Sequence, residues 1–147
     1  MTEKDYAAGI AADPADAVRL VERVASLVND GDYAQVLELV HPEIEAAPKS
    51  RPLERIRGAD AAARFLHDFV ATRSVFEIGL TAVNAVDEHR VVAQGRLRWM
   101  DDDRVLRDDP VVWAVEVEDG LLRRSTAVRT VTDAEALLAT SAPSPGA

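Results

Sequence analysis

The sequence predicts an α+β domain, with helices ahead of a curved antiparallel sheet that folds around an apolar pocket. Three observations predict it. Apolar residues recur at helical spacing as far as Thr72, the period changes to two from Phe76 onward, and Asp119-Gly120 between two alternating runs marks a hairpin.

At 147 residues the chain fits a single domain, and its 48% apolar content points neither to disorder nor to membrane insertion. Residues 1–12 read as a flexible N-terminus, 13–140 as the domain and 141–147 as a disordered tail. The first residues carry neither a basic flank nor an apolar stretch, so a secretory signal is not expected. The absence of cysteine removes disulfides and zinc–thiolate sites, and fits a cytoplasmic location. Net charge is −9 without a basic cluster, which argues against nucleic acid or an anionic membrane as partner.

Asp13-Pro14 announces the first helix, an N-cap followed by proline at the first helical position. Val18, Val21, Val24, Ala25 and Val28 form its apolar stripe, and Asn29-Asp30-Gly31 stops it. Asp32 caps a second helix carrying Tyr33, Val36, Leu37 and Val40, which ends near His41-Pro42. Short extended pieces follow at Glu43–Ala47 and Leu53–Arg57. Gly58-Ala59-Asp60 then opens a third helix with Ala62, Phe65, Leu66, Phe69 and Val70 on one side. Four alternating runs come next, and Asp133 is expected to cap a short last helix, Ala134–Ala139.

Hairpin geometry gives these strands a register. A two-residue Asp119-Gly120 turn pairs Val117 with Leu122, Val115 with Arg124 and Trp113 with Thr126. Setting Val86 against Val91 pairs Leu80 with Leu97, Ile78 with Trp99 and Ala82 with Gly95. Trp99 opposite Val111 completes the sheet. The predicted inner wall is Ile78, Leu80, Ala82, Ala93, Gly95, Leu97, Trp99, Trp113, Val115 and Val128, joined by only three polar groups, Asn84, Arg124 and Thr126. Gly95 in mid-strand invites a bend or the close approach of another group.

Two readings stay open for Arg124: a clamp for an anion or carbonyl at the pocket floor, or a side chain that reaches the rim or pairs with Glu45. Trp99 and Trp113 form either an aromatic wall for a flat ligand or plain core. Asn84 and Thr126 are candidates to orient a ligand carbonyl. His41, His67 and His89 lack metal-site spacing, so no metal is expected. A general base needs a carboxylate within reach of substrate. Glu77, Glu116 and Glu118 point outward in this register, which leaves Glu43 and Glu45, and Asp109 at the mouth, as candidates.

The helix at Val18–Val28 and the Asn-Asp-Gly-Asp-Tyr break at 29–33 are followed by Leu39-Val40-His41-Pro42-Glu43 and Arg57-Gly58-Ala59-Asp60-Ala61. Further on come Glu118-Asp119-Gly120-Leu121-Leu122-Arg123-Arg124 and Asp133-Ala134-Glu135-Ala136-Leu137. In this order the sequence resembles the nuclear transport factor 2-like (NTF2-like) superfamily, particularly its SnoaL-like members, over about residues 15 to 139. The resemblance implies a cone-shaped α+β barrel of three N-terminal helices on a strongly curved, antiparallel or mixed sheet, often as a homodimer. It also implies a range of cofactor-free cyclases, isomerases, epoxide hydrolases and dehydratases beside non-enzymatic binders. Of their catalytic patterns, the isomerase-like base would fall at Glu43 or Glu45. The epoxide-hydrolase-like pattern finds only its arginine, as Arg124.

The function expected is therefore binding of a small, mostly apolar or carbonyl-containing ligand, without a cofactor and without catalysis. The alternatives are a cofactor-independent isomerase, cyclase or lyase using Glu45 or Asp109, and a dimerisation module presenting Val83, Val112, Ala114 and Ala127 on the outer sheet face.

Overall fold

A computed structural model describes residues 13–140, so the two expected flexible ends, 1–12 and 141–147, lie outside the described residues. Helix α1 (Pro14–Asp30) starts as its sequence predicts, with the Asp13 carboxylate accepting from the Ala15 N–H at 2.8 Å. It ends at Gly31, whose φ of 75° lets its N–H reach the carbonyls of Leu27 and Val28. Asp32 caps α2 (Tyr33–Glu38) through the Gln35 N–H. Helix α3 (Ala59–Arg64) runs directly into a π-helical turn, Phe65–Val70, in which Phe65 and Phe69 stack at 5.3 Å. The last helix, α4 (Val131–Thr140), begins earlier than expected. The Thr130 hydroxyl accepts from the Asp133 N–H, which leaves Asp133 inside the first turn rather than at the cap.

The strands are β1 (Val40–Ala47), β2 (Ile56–Arg57), β3 (Phe76–Ala85), β4 (Arg90–Met100), β5 (Leu106–Glu118) and β6 (Leu121–Val128). They form one curved, unclosed sheet in the order β2-β1-β6-β5-β4-β3. Its single parallel pair is β1 with β6, where Glu45 lies opposite Arg124. The fold is the α+β cone, with α1, α2 and α3 on the concave side.

Four departures from the predicted register matter. Between β3 and β4, Ile78 faces Leu97 rather than Trp99 and Leu80 faces Gly95 rather than Leu97, a shift of two residues. Between β4 and β5, Trp99 faces Arg107 rather than Val111, a shift of four residues. An even shift keeps every side chain on its expected face. Each of the other two is a bulge, and a bulge inverts the faces beyond it. The first lies at Thr81 in β3: Leu80 pairs with Gly95, but Ala82 pairs with Gln94 and Asn84 with Val92. The second lies at Arg123 in β6: Val117 pairs with Leu122, but Glu116 pairs with Arg124 and Ala114 with Thr126. Ala82, Asn84, Arg124, Thr126 and Val128 are therefore outside the cone, against the inward positions that unbroken alternation gives them.

Gly95 answers to a close approach. A Cβ there would lie 2.1 Å from the Gly79 carbonyl oxygen, so the backbone of β3 occupies the space of a side chain.

The main core fills the space between the helices and the concave face, with Ile44, Phe69, Leu97, Trp99 and Val111 buried in it. A second cluster seats Ala17 and Val21 of α1 on Val91, Ala93 and Val115. On the convex side, α4 covers Val92, Val112 and Ala114 with Ala134 and Leu138. The four residues expected to form an outer dimerisation patch are thus otherwise engaged. Val112 and Ala114 lie under α4, while Val83 and Ala127 pack inside the cone.

Candidate functional site

A cavity of about 170 Å³ opens between the helices and the concave face of the sheet. Val24 and Val28 come from α1, Phe65 and Leu66 from the π-helical turn after α3, and Ile78, Leu97, Trp113 and Leu122 from the sheet. A second cavity of about 80 Å³ continues towards Val21, Ala25, Ala93 and Val115. The two share Val24, Ile78, Trp113, Leu122 and Ser125 as common wall. One water centre needs only about 10–15 Å³, and apolar cavities tend to remain dry, so this space favours an apolar guest over solvent.

Of the residues singled out from the sequence, Leu97 and Trp113 line the larger cavity. Trp99 is 6% exposed and sits in the core beside it rather than on its wall. Arg124, Thr126 and Asn84 do not reach the cone interior, because the bulges turn them to the convex face. There Arg124 donates to Glu116 at 3.2 Å and lies 3.4 Å from Glu45, its partner across the parallel pair. That is the ion-paired arrangement. Glu45 consequently faces away from the cavity, while Ile44 beside it is buried inward.

Asp109 moves the other way. The four-residue shift draws it out of the expected loop into β5, opposite Leu97 and on the concave side, where it is half-buried.

Ser125 is the sheet's polar contribution to both cavities, and the alternation pattern misses it. A signal was available in the neighbouring doublet Arg123-Arg124. Two successive charges in a strand with one apolar face cannot both avoid the core in regular alternation. A bulge between them solves this by sending both outward and turning Ser125 in. Lys49 and Ser50, on the segment after β1, also line the larger cavity and carried no periodic signal.

Both arginines join a charged network along the β1–β6 seam. Arg123 donates to the Glu43 carbonyl at 2.7 Å and lies within 4 Å of the carboxylates of Glu43, Glu45 and Glu118. His41 accepts from the Glu43 N–H at Nδ1, and its Nε2 is 3.7 Å from Glu118. Ligand atoms of His41, Glu118 and Asp119 lie within 4.8 Å of one another, a grouping that chain spacing does not reveal. Arg123 already engages Glu118 there. His67 is exposed and meets Tyr33 edge-on, 5.8 Å between ring centres.

Among the described residues two carboxyl groups titrate low, both at turns away from the cavity. The Arg90 guanidinium hydrogen-bonded to Asp87 holds that carboxyl below its ordinary value, although burial opposes it. At the β4–β5 turn, the backbone N–H of Val105 and then the Arg107 guanidinium lower Asp101. The aspartate run 101–103 is therefore built into its turn, with Asp101 also accepting from the Asp103 N–H. No helix among the described residues is long and apolar enough to cross a membrane.

No curated protein sequence matches the chain significantly. Solved structures share the fold at low identity. A Mycobacterium tuberculosis protein in complex with estradiol-17beta-hemisuccinate superimposes with a TM-score of 0.68 at 13% identity, over 82% of this chain and 96% of its own. The Δ5-3-ketosteroid isomerase from a Mycobacterium species gives a TM-score of 0.67 at 18% identity, over 83% and 96% of the two chains. An epoxide hydrolase of M. tuberculosis gives 0.67 at 21%, over 86% and 91%. The family model described as a SnoaL-like domain matches residues 21–125, so the chain belongs to the SnoaL-like family of the NTF2-like fold.

Proposed function

We propose that the cone binds a small, mostly apolar molecule and does so without catalysis. The observation that carries this is the wall itself: two adjoining cavities in which, among the described lining residues, there is neither a carboxylate nor a histidine. Burial of apolar surface supplies the affinity, roughly 25 cal/mol per Å² removed from water. That a structural neighbour was solved with a steroid ester supports a small-molecule occupant.

Thermal melting with a panel of steroids, terpenoids and aromatic polyketides tests the reading. A ligand at about 100 times its Kd stabilises the fold by about 2.7 kcal/mol, a shift of several degrees. Ser125→Leu, which fills the wall shared by both cavities, should abolish the shift. A shift that survives this filling would place the ligand elsewhere.

Asp109 gives a second reading a specific basis, since it is the acid that β5 turns to the concave side. As base of a cofactor-independent isomerase or lyase it would take a proton from a carbon acid presented near Leu97. Loss of turnover in Asp109→Asn with unchanged ligand affinity is the expected signature. Equal turnover in both proteins rules the base out.

A further inference from the structure

The two cavities meet at a waist formed by Val24, Ile78, Trp113, Leu122 and Ser125, the residues that line both. The bulge in β6 places Ser125 there, opposite Val115 of β5 and Ala46 of β1 on the concave side. Ser125 is half-buried, and its hydroxyl has no hydrogen-bond partner among the described residues. Among those residues, the polar side-chain atoms both sealed from solvent and left without a partner are Ser50 Oγ and Arg124 Nε. The Ser125 hydroxyl is therefore not sealed, and the space it opens onto is that of the cavities it lines. A hydroxyl in such a place is normally satisfied, so its partner must come from whatever fills the waist.

From this placement we infer that the ligand is a neutral molecule with an internal carbonyl, whose oxygen accepts from the Ser125 hydroxyl between two apolar arms. The inference rests on the binding function proposed above and adds to it the ligand's polar group and where along the molecule it lies. One donor satisfies a carbonyl oxygen. A ligand hydroxyl paired with Ser125 would leave one of the two hydroxyl protons without an acceptor. No charged side chain lines the waist, so an ionised group there would be buried unpaired. The arms are unequal, because the cavities on either side hold about 170 and 80 Å³, which sets the carbonyl about a third of the way along the ligand.

Propyl pentyl ketone and methyl heptyl ketone are isomers of equal carbon count, so their apolar area nearly cancels and the position of the oxygen is what differs. In calorimetric titration, wild type should bind the propyl pentyl isomer about fivefold more tightly, the worth of one net hydrogen bond. Ser125→Ala should bring the two isomers to equal affinity while both still bind. Ser125→Cys, which keeps the bulk of the side chain but is a weak donor, should do the same. Equal affinities in wild type, the result if solvent serves the hydroxyl, overturn the carbonyl assignment but leave the cavities as an apolar binding site. A preference that survives Ser125→Ala has the same consequence. If neither ketone binds while the chain is folded, the assignment falls together with the binding function.

Discussion

Asn29 closes both hydrogen bonds of the Ile78 backbone: its Nδ2 donates to the Ile78 carbonyl and its Oδ1 accepts from the Ile78 N–H, each at 2.8 Å. One side-chain amide thereby pairs the outer backbone groups of Ile78 in an edge strand, since β3 has no neighbour beyond it among the described residues. The same contact ties the end of α1 to the residue that lines both cavities. Asn29→Ala should cost about 1–2 kcal/mol in urea unfolding. Asn29→Asp should be no better, because a carboxylate loses the donor and faces the Ile78 carbonyl.

Gly95 gives a sharper contrast. Gly95→Ala would drive a methyl against the Gly79 carbonyl at 2.1 Å, and the backbone must move to admit it. A loss of about 1–3 kcal/mol is expected. Gly79→Ala, whose Cβ would meet only the Arg96 carbonyl at 3.9 Å, serves as control and should fall well short of that. Equal losses in the two variants would remove the close approach as the cause.

Arg124 and Trp113 separate the two faces of the sheet. Arg124→Ala breaks pairs with Glu116 and Glu45 on the convex side and should cost about 1 kcal/mol of stability. Affinity for an apolar ligand should stay within about twofold, because nothing in the cone is touched. Trp113→Ala should weaken the same ligand by more than about tenfold, by removing shared wall from both cavities. Calorimetric titration of the two variants checks both.

Acid stability follows from Asp87 and Asp101. Each has a folded-state pKa below its ordinary 3.8, so near pH 4 the unfolded chain binds more protons than the folded one. Their contribution is complete above the unfolded value and is lost as pH falls through the folded value. The urea midpoint should therefore drop from about pH 5 downward. Asp87→Asn and Asp101→Asn should each flatten that drop while lowering stability at neutral pH.

Much of the fold is legible in the sequence because helices announce themselves locally. Asp13-Pro14 and Gly31 fix α1 at both ends, and Asp32 fixes the start of α2. Strand faces follow from alternation only where pairing is unbroken. Leu97 and Trp113 keep their faces despite a register displaced by four residues, since an even shift is silent. Asn84, Arg124 and Thr126 lose theirs to bulges at Thr81 and Arg123, where one extra residue exchanges inside for outside. Phe65 and Leu66 are legible as the apolar side of the third helix, but their meeting with the sheet around one cavity is tertiary packing that no single periodicity encodes.

The parallel union of β1 with β6 also dictates when the cavity comes into being. Arg123 reaches the Glu43 carbonyl across 80 residues of chain, whereas β3, β4, β5 and β6 are joined in series by short turns. Closing that long loop carries the larger entropic cost, so the hairpins can assemble before β1 docks. Ile44 and Ala46 arrive with β1, as do Lys49 and Ser50, which line the larger cavity. The cavity is thus expected to close late in folding, and a ligand that needed all of its walls would slow unfolding more than it would speed assembly.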